Sequence, residues 1–213
     1  LCKDEELFSR RLRITPQQFA DLLLTFWQQA NDEFMGMTPS PCKHGTFALM
    51  ARQAVNQKQL RAVYRHLSRF YSLFTDAIRL RLEESDDEAA FIMEMHDTSL
   101  DPDHTFAEFF LLLWHRFPGW LLGRVIPLRR VEFPYPAPAH AREYRLIYPG
   151  PARFEQARLA LVFDRKQLDA PVVQTEQTLR DHLENAPLVW VSRPSFYPHF
   201  SRKVIDYLSH CDN

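Results

Sequence analysis

The chain has 213 residues, 46% of them hydrophobic and 25% charged, with a formal net charge of −1. That length buries a sizeable core in one large domain or two small ones. The near-neutral balance offers no global field to nucleic acid or an acidic membrane, so this stretch is not expected to bind DNA by itself. Cys2, Cys42 and Cys211 form no CxxC pair, which argues against a zinc cage or a disulfide framework and points to a reducing cytoplasm.

No apolar run reaches the roughly 18 residues of a membrane span, and no signal peptide opens the chain. It starts at Leu1 and stops inside a helical pattern, as expected of a domain cut from a longer protein.

In chain order, Thr15 predicts a helix N-cap, with Pro16 at the first helical position and Gln18 completing a capping box. The helix runs to about Ala30, with Phe19, Leu22, Leu23, Phe26 and Trp27 as its apolar stripe. Residues 31–45 shift to Gly, Pro, Ser and Met and read as a loop. A short helix follows over about Phe47–Ala54. Gln57–Ala77 is the clearest helix, with Leu60, Val63, Tyr64, Leu67, Phe70, Tyr71 and Phe74 at helical spacing. Arg61, Arg65 and Arg69 line another face, read as solvated or else as a subunit or domain contact.

Ile78–Leu82 and Ala90–Met95 read as strands around the acidic turn Glu83–Glu88. The stretch from Glu83 to Glu108 has no Lys or Arg and reads as solvated turn chemistry rather than a metal site. Thr105 and Glu108 suggest a capping box opening a buried helix, which Pro118 and Gly119 are expected to interrupt. Strands are expected near Leu128–Phe133, Ala152–Glu155 and Leu159–Phe163, with a short helix over Ala139–Ile147. Thr175 should cap a helix reaching Asn185. Pro187 and Pro194 should bracket an extended linker. A last helix should start near Tyr197 or Pro198, with Val204, Ile205 and Leu208 on one face. The predicted class is α+β: an N-terminal helical portion packed on a mostly antiparallel sheet with crossing helices.

Several blocks stand in a telling order. They are Arg13-Ile14-Thr15-Pro16, Met35-Gly36-Met37, Gly45-Thr46-Phe47, Gln59-Leu60-Arg61-Ala62 and Arg69-Phe70-Tyr71-Ser72-Leu73. The longest, Phe133-x-Tyr135-Pro136-x-Pro138-x-His140-x-x-x-Tyr144, continues through Phe154, Leu161-Val162-Phe163 and Leu168-Asp169-x-Pro171. This set resembles the N-terminal, arabinose-binding-type effector domain of AraC-type transcription regulators, in the branch that includes regulators of arginine and ornithine catabolism. Tyr148 stands where that family more often has Phe.

The resemblance implies a cytoplasmic sensor in which residues 1–190 bind an effector and oligomerise. Residues 191–213 would then lead into a helix-turn-helix DNA-binding domain that is absent from this sequence. The implied partners are a small metabolite, a second copy of the chain and, through the missing half, promoter DNA; neither a cofactor nor a membrane is implied. A sensor pocket is apolar and aromatic with a few orienting polar groups. On that basis Trp114, His115, Trp120, Tyr135, His140 and Tyr144 are the candidate ligand-binding residues. Core packing is the competing reading for Trp114, Trp120 and Tyr144, and a local cap or packing role for His140.

His96-Asp97 and Asp101–His104 carry metal-capable groups without a ligand spacing. Nucleophile-elbow, Walker, Rossmann and HExxH patterns are absent, and there are only five glycines, too few for a phosphate cradle. Cys42 and His44 are too close in sequence to act as nucleophile and base. The expectation is therefore a regulatory module and not an enzyme. A dimerisation module without a ligand is the main alternative, and an enzyme of unknown class the other.

Overall fold

The computed structural model describes residues 14–192; the expected helix near Tyr197 and residues 193–213 lie outside them. The described chain is α+β. It opens with α1 (Pro16–Ala30), α2 (Thr46–Ala54) and α3 (Leu60–Phe74). Thr15 caps α1 as its sequence requires: its hydroxyl accepts from Gln18 N at 3.2 Å, and Gln18 Oε1 accepts from Thr15 N at 2.8 Å. Asn31, left-handed at φ 51, ends the helix.

The buried stripe of α1 is narrower than expected. Ala20, Leu23 and Trp27 are buried, whereas Leu22 and Phe26 remain 58% and 39% exposed. Each precedes a buried residue by one position, which turns it about 100° around the helix and away from the core.

α3 begins at Leu60 rather than Gln57. Gln59, extended, instead bridges to Pro171, where Leu60 N donates to Ala170 O and Val172 N to Lys58 O. Phe74 closes the helix but is half-exposed.

β1 (Ile78–Glu84) and β2 (Glu88–Met95) form a hairpin slightly longer than expected. With β3 (Arg130–Glu132), β4 (Ala152–Arg153) and β5 (Leu159–Asp164) they make one sheet in the order β1-β2-β5-β3-β4. All its pairs are antiparallel except β3 with β4. Phe91 and Phe163 point to the main core, where Tyr64 of α3 stacks on them at 4.2 and 5.7 Å.

The opposite face has small residues at its centre: Ala90, Ile92, Ala160 and Val162, all buried. In register beside them stand Arg81, Glu83, Arg130 and Glu132. Arg81 pairs with Glu83 and Glu94, Arg130 with Glu88 and Glu132, and Arg158 with Glu83 and Glu132. Long arginine stems can cover apolar surface while their heads stay wet. Glu83, Glu84, Glu88 and Glu94 of the acidic run are therefore drawn into ion pairs with other segments, while Asp86 and Asp87 at the turn itself are exposed, as expected. Arg61 and Arg65 likewise pair with Glu84, while Arg69 is exposed.

α4 (Thr105–Leu121) is buried along most of its length. Thr105 is its first residue and not its cap. The left-handed His104 takes the cap position without a side-chain bond. The capping is done by Asp101, whose carboxylate accepts from Phe106 N at 2.9 Å and Ala107 N at 3.0 Å. Nor does Pro118 interrupt the helix, which continues to Leu121. Proline cannot donate to the carbonyl four residues back. That carbonyl, on Trp114, instead accepts from the Tyr64 hydroxyl at 3.3 Å, so the helix continues with its freed acceptor satisfied.

A short 3-10 turn, Ala141–Glu143, leads into α5 (Tyr144–Ile147). A second, Arg165–Asp169, follows β5. α6 (Glu176–Glu184) is capped by Thr175 as expected. The segment after Pro187 is helical, not extended: α7 spans Leu188–Ser192. Trp190, only 5% exposed, anchors it.

Candidate functional site

The loop over residues 31–45 is built around two buried acids. Asp32 accepts from Phe34 N, Cys42 N and Gly36 N, at 2.9, 2.8 and 2.7 Å. Glu33 accepts from Gly45 N at 2.7 Å and Phe47 N at 2.8 Å, which caps the start of α2. Gly45 holds φ 95, a conformation that side chains rarely adopt. Burial raises the Glu33 carboxyl to about 7; the Phe47 and Gly45 N–H groups oppose that rise and Asp32 adds to it. His44 Nδ1 lies 3.7 Å from Glu33.

Glu33 and His44 form the polar end of a cavity of about 220 Å³ bounded by α1, α2, α4, α6 and α7. Its other walls include Trp27, Phe47, Phe109 and Trp190. Trp190 lies 6.2 Å from Trp27 and 4.8 Å from Phe47, between ring centroids. The Trp27 indole N–H is buried and has no hydrogen-bond partner among the described residues. Trp190 donates its own indole N–H to His182 Nε2 at 2.9 Å. No Lys or Arg lines this cavity among the described residues.

A second hollow, of about 530 Å³, lies between the start of α4 and the Pro-rich turn before α5. Glu108 is among its lining residues. The hydroxyls of Tyr135 and Tyr144 both donate to Glu108 Oε1, the first at 2.8 Å, and Tyr148 donates to the Glu108 carbonyl at 3.1 Å. Burial raises the pKa of both Tyr135 and Tyr144; the Glu108 charge comes next for Tyr135 and the hydrogen bond to Glu108 next for Tyr144, so both stay protonated donors. His104 stacks on Tyr135 at 3.7 Å. His140 lines the hollow and lies parallel to Tyr144 at 5.7 Å, with no capping bond from its side chain.

The six residues singled out from sequence therefore separate. Tyr135 and Tyr144 meet at Glu108, and His140 lies beside Tyr144 in the wall of the same hollow. Trp114 is fully buried against Phe47, Tyr71 and Phe110. His115 is also in the core, donating from Nε2 to Ile126 O at 2.8 Å, and burial lowers its pKa to about 4. Trp120 stacks on His182 at 4.1 Å, beside the small cavity rather than in its wall.

Sequence reasoning did not select Glu33, His44, Glu108, Trp27 or Trp190 as site residues. The aromatic stripe of α1 held the signal for Trp27. The two loop residues carried none, since their role depends on a fold-back of the chain.

Cys42 is buried and its thiol is pushed up to about 12, which keeps it protonated and unfit as a nucleophile. The described residues hold no group of His, Cys, Asp and Glu able to bind a metal ion. None of their helices is long and apolar enough to cross a membrane.

The described residues thus form a helix-and-sheet domain with two ligand-sized hollows. The family profile described as "Arabinose-binding domain of AraC transcription regulator, N-term" matches residues 3–172, and the chain belongs to that family. Among solved structures, the chain is similar to the transcriptional regulator CdpR from Pseudomonas aeruginosa, with 14% identity and a TM-score of 0.36. That alignment covers 80% of this chain and 61% of the other. No curated protein matches the sequence.

Proposed function

We propose that this chain is the ligand-sensing domain of a cytoplasmic AraC-type regulator. A small metabolite binds in the cavity of about 220 Å³, and its occupancy controls promoter binding by a C-terminal helix-turn-helix domain reached through residues 191–213. The carrying observation is that Trp190 belongs both to the cavity wall and to α7, the helix that leads into that segment. A ligand that favours one position of Trp190 biases α7 to the extent of its differential affinity for the two arrangements. A second copy of the chain completes the assembly, with the exposed Leu22 and Phe26 of α1 as its apolar contact.

A thermal-shift screen on the full chain tests the site, run in parallel on Ala48→Trp, which places a large side chain in the cavity wall. A ligand of this cavity raises the melting temperature of the parent through mass action and leaves the variant unmoved. If no compound class shifts the parent, the dimerisation-only reading takes its place.

The convergence of Tyr135 and Tyr144 on Glu108, with His140 in the wall of the same hollow, favours that hollow beside α5 as a second location for the effector. Hits abolished by His140→Ala but retained in Ala48→Trp would move the effector there.

A further inference from the structure

The chemistry of the small cavity narrows what it can hold, if it is the effector site as proposed above. Its volume of about 220 Å³ modestly exceeds the roughly 150 Å³ that holds benzene in an engineered apolar cavity. One ring, or an alkyl body of similar bulk, with a short substituent fills it. The walls are aromatic and aliphatic, and the sole acid among the described lining residues is Glu33. Both Glu33 oxygens already accept a backbone N–H, and each keeps a lone pair for a further donor.

An anionic ligand would bring a second negative charge beside Glu33 with no Lys or Arg in the wall to answer it, and the one basic side chain there, the exposed His44, already faces Glu33. Burying an unpaired charge in such a site is strongly unfavourable. A cation meets the opposite situation: a carboxylate to pair with and the π-electron surfaces of tryptophan and phenylalanine, which attract ammonium groups. The unpartnered Trp27 indole N–H supplies a donor for any oxygen the ligand carries.

We propose that this cavity takes a small organic ammonium ion with a compact apolar body, its charge set against Glu33 among the rings of Trp27, Phe47 and Trp190. Amino acids and short carboxylates are excluded by the same arrangement, because each brings a carboxylate.

Isothermal titration of the full chain at about pH 8, where Glu33 is ionised, tests this with three ligands of one shape. Tyramine has a ring and an ammonium, para-ethylphenol the same ring without charge, and para-hydroxyphenylacetate the same ring with a carboxylate. Tyramine should bind at least about tenfold more tightly than para-ethylphenol, and the acid should not bind. Glu33→Gln should erase that preference while keeping para-ethylphenol affinity; if it does not fold, Trp190→Leu should reduce the preference in its place. Equal or tighter binding of para-ethylphenol or of the acid overturns the ammonium assignment and leaves the cavity reading standing. Silence from all three ligands overturns the ammonium assignment, and the cavity reading is then decided by the thermal-shift screen alone.

Discussion

Replacing Glu33 by Gln removes a carboxyl whose proton affinity differs between the folded and unfolded chain. Burial raises the folded value from the ordinary 4.5 to about 7, against the pull of the Phe47 and Gly45 N–H groups. The folded chain therefore holds more protons than the unfolded one between those limits. The stability this contributes is fully present below the unfolded value and is lost as pH rises through the folded one. At about 1.4 kcal/mol per tenfold change in proton affinity, the loss amounts to about 3 kcal/mol. Asp32, His44, Cys42 and, from α3, Tyr71 face this carboxyl.

His115 acts in the opposite sense. Burial lowers it from 6.5 to about 4, so its contribution is lost as pH falls through that range. The parent should thus look deceptively flat where the two windows overlap, and Glu33→Gln should expose the His115 slope. Gln accepts with one oxygen only, so Gly45 or Phe47 loses its acceptor at every pH, a constant cost of about 1–3 kcal/mol. The difference between parent and variant should therefore shrink by about 3 kcal/mol from about pH 5 to about pH 8. Urea unfolding followed by tryptophan fluorescence, with midpoints compared at matching slopes, measures it. A difference that stays constant across that range would show that Glu33 is not buried as described.

Tyr64→Phe leaves the Trp114 carbonyl, already freed by Pro118, without a donor and should cost about 1–2 kcal/mol in denaturant unfolding. Asp101→Ala removes both caps of α4, and a loss of about 1–2 kcal/mol should appear as a lower melting temperature. Arg116 has a guanidinium whose Nε and one Nη are buried without partners among the described residues, and burial lowers its pKa to about 10. Arg116→Met should raise stability, by about 1–2 kcal/mol in the same unfolding assay.

The helices and the strands were legible where periodicity and capping agree, as at Thr15, Thr175 and the Leu60–Tyr71 stripe. Errors arose where a distant residue decides the local outcome. Asp101 took over the capping expected of Thr105. Tyr64 supplied the donor that let α4 pass Pro118. Trp190 found Trp27 and Phe47, which folded a stretch that its flanking prolines made look extended. For the same reason the site was half visible. Tyr135, His140 and Tyr144 lie close together in sequence and meet in space, whereas Glu33 and Trp190 share a cavity across most of the chain length. Trp114 and His115 have side chains suited to ligand binding, but their positions on α4 turn them into the core.

The charged outer face of the sheet fixes how its strands can move. Sliding β2 against β5 by one residue would send Phe91 and Met93 into water and bring Glu88 and Glu94 under the helices. Such a shift must also break the arginine pairs that bridge β1, β2 and β3. The register is therefore held from both sides, by apolar burial on one face and by ion pairs on the other.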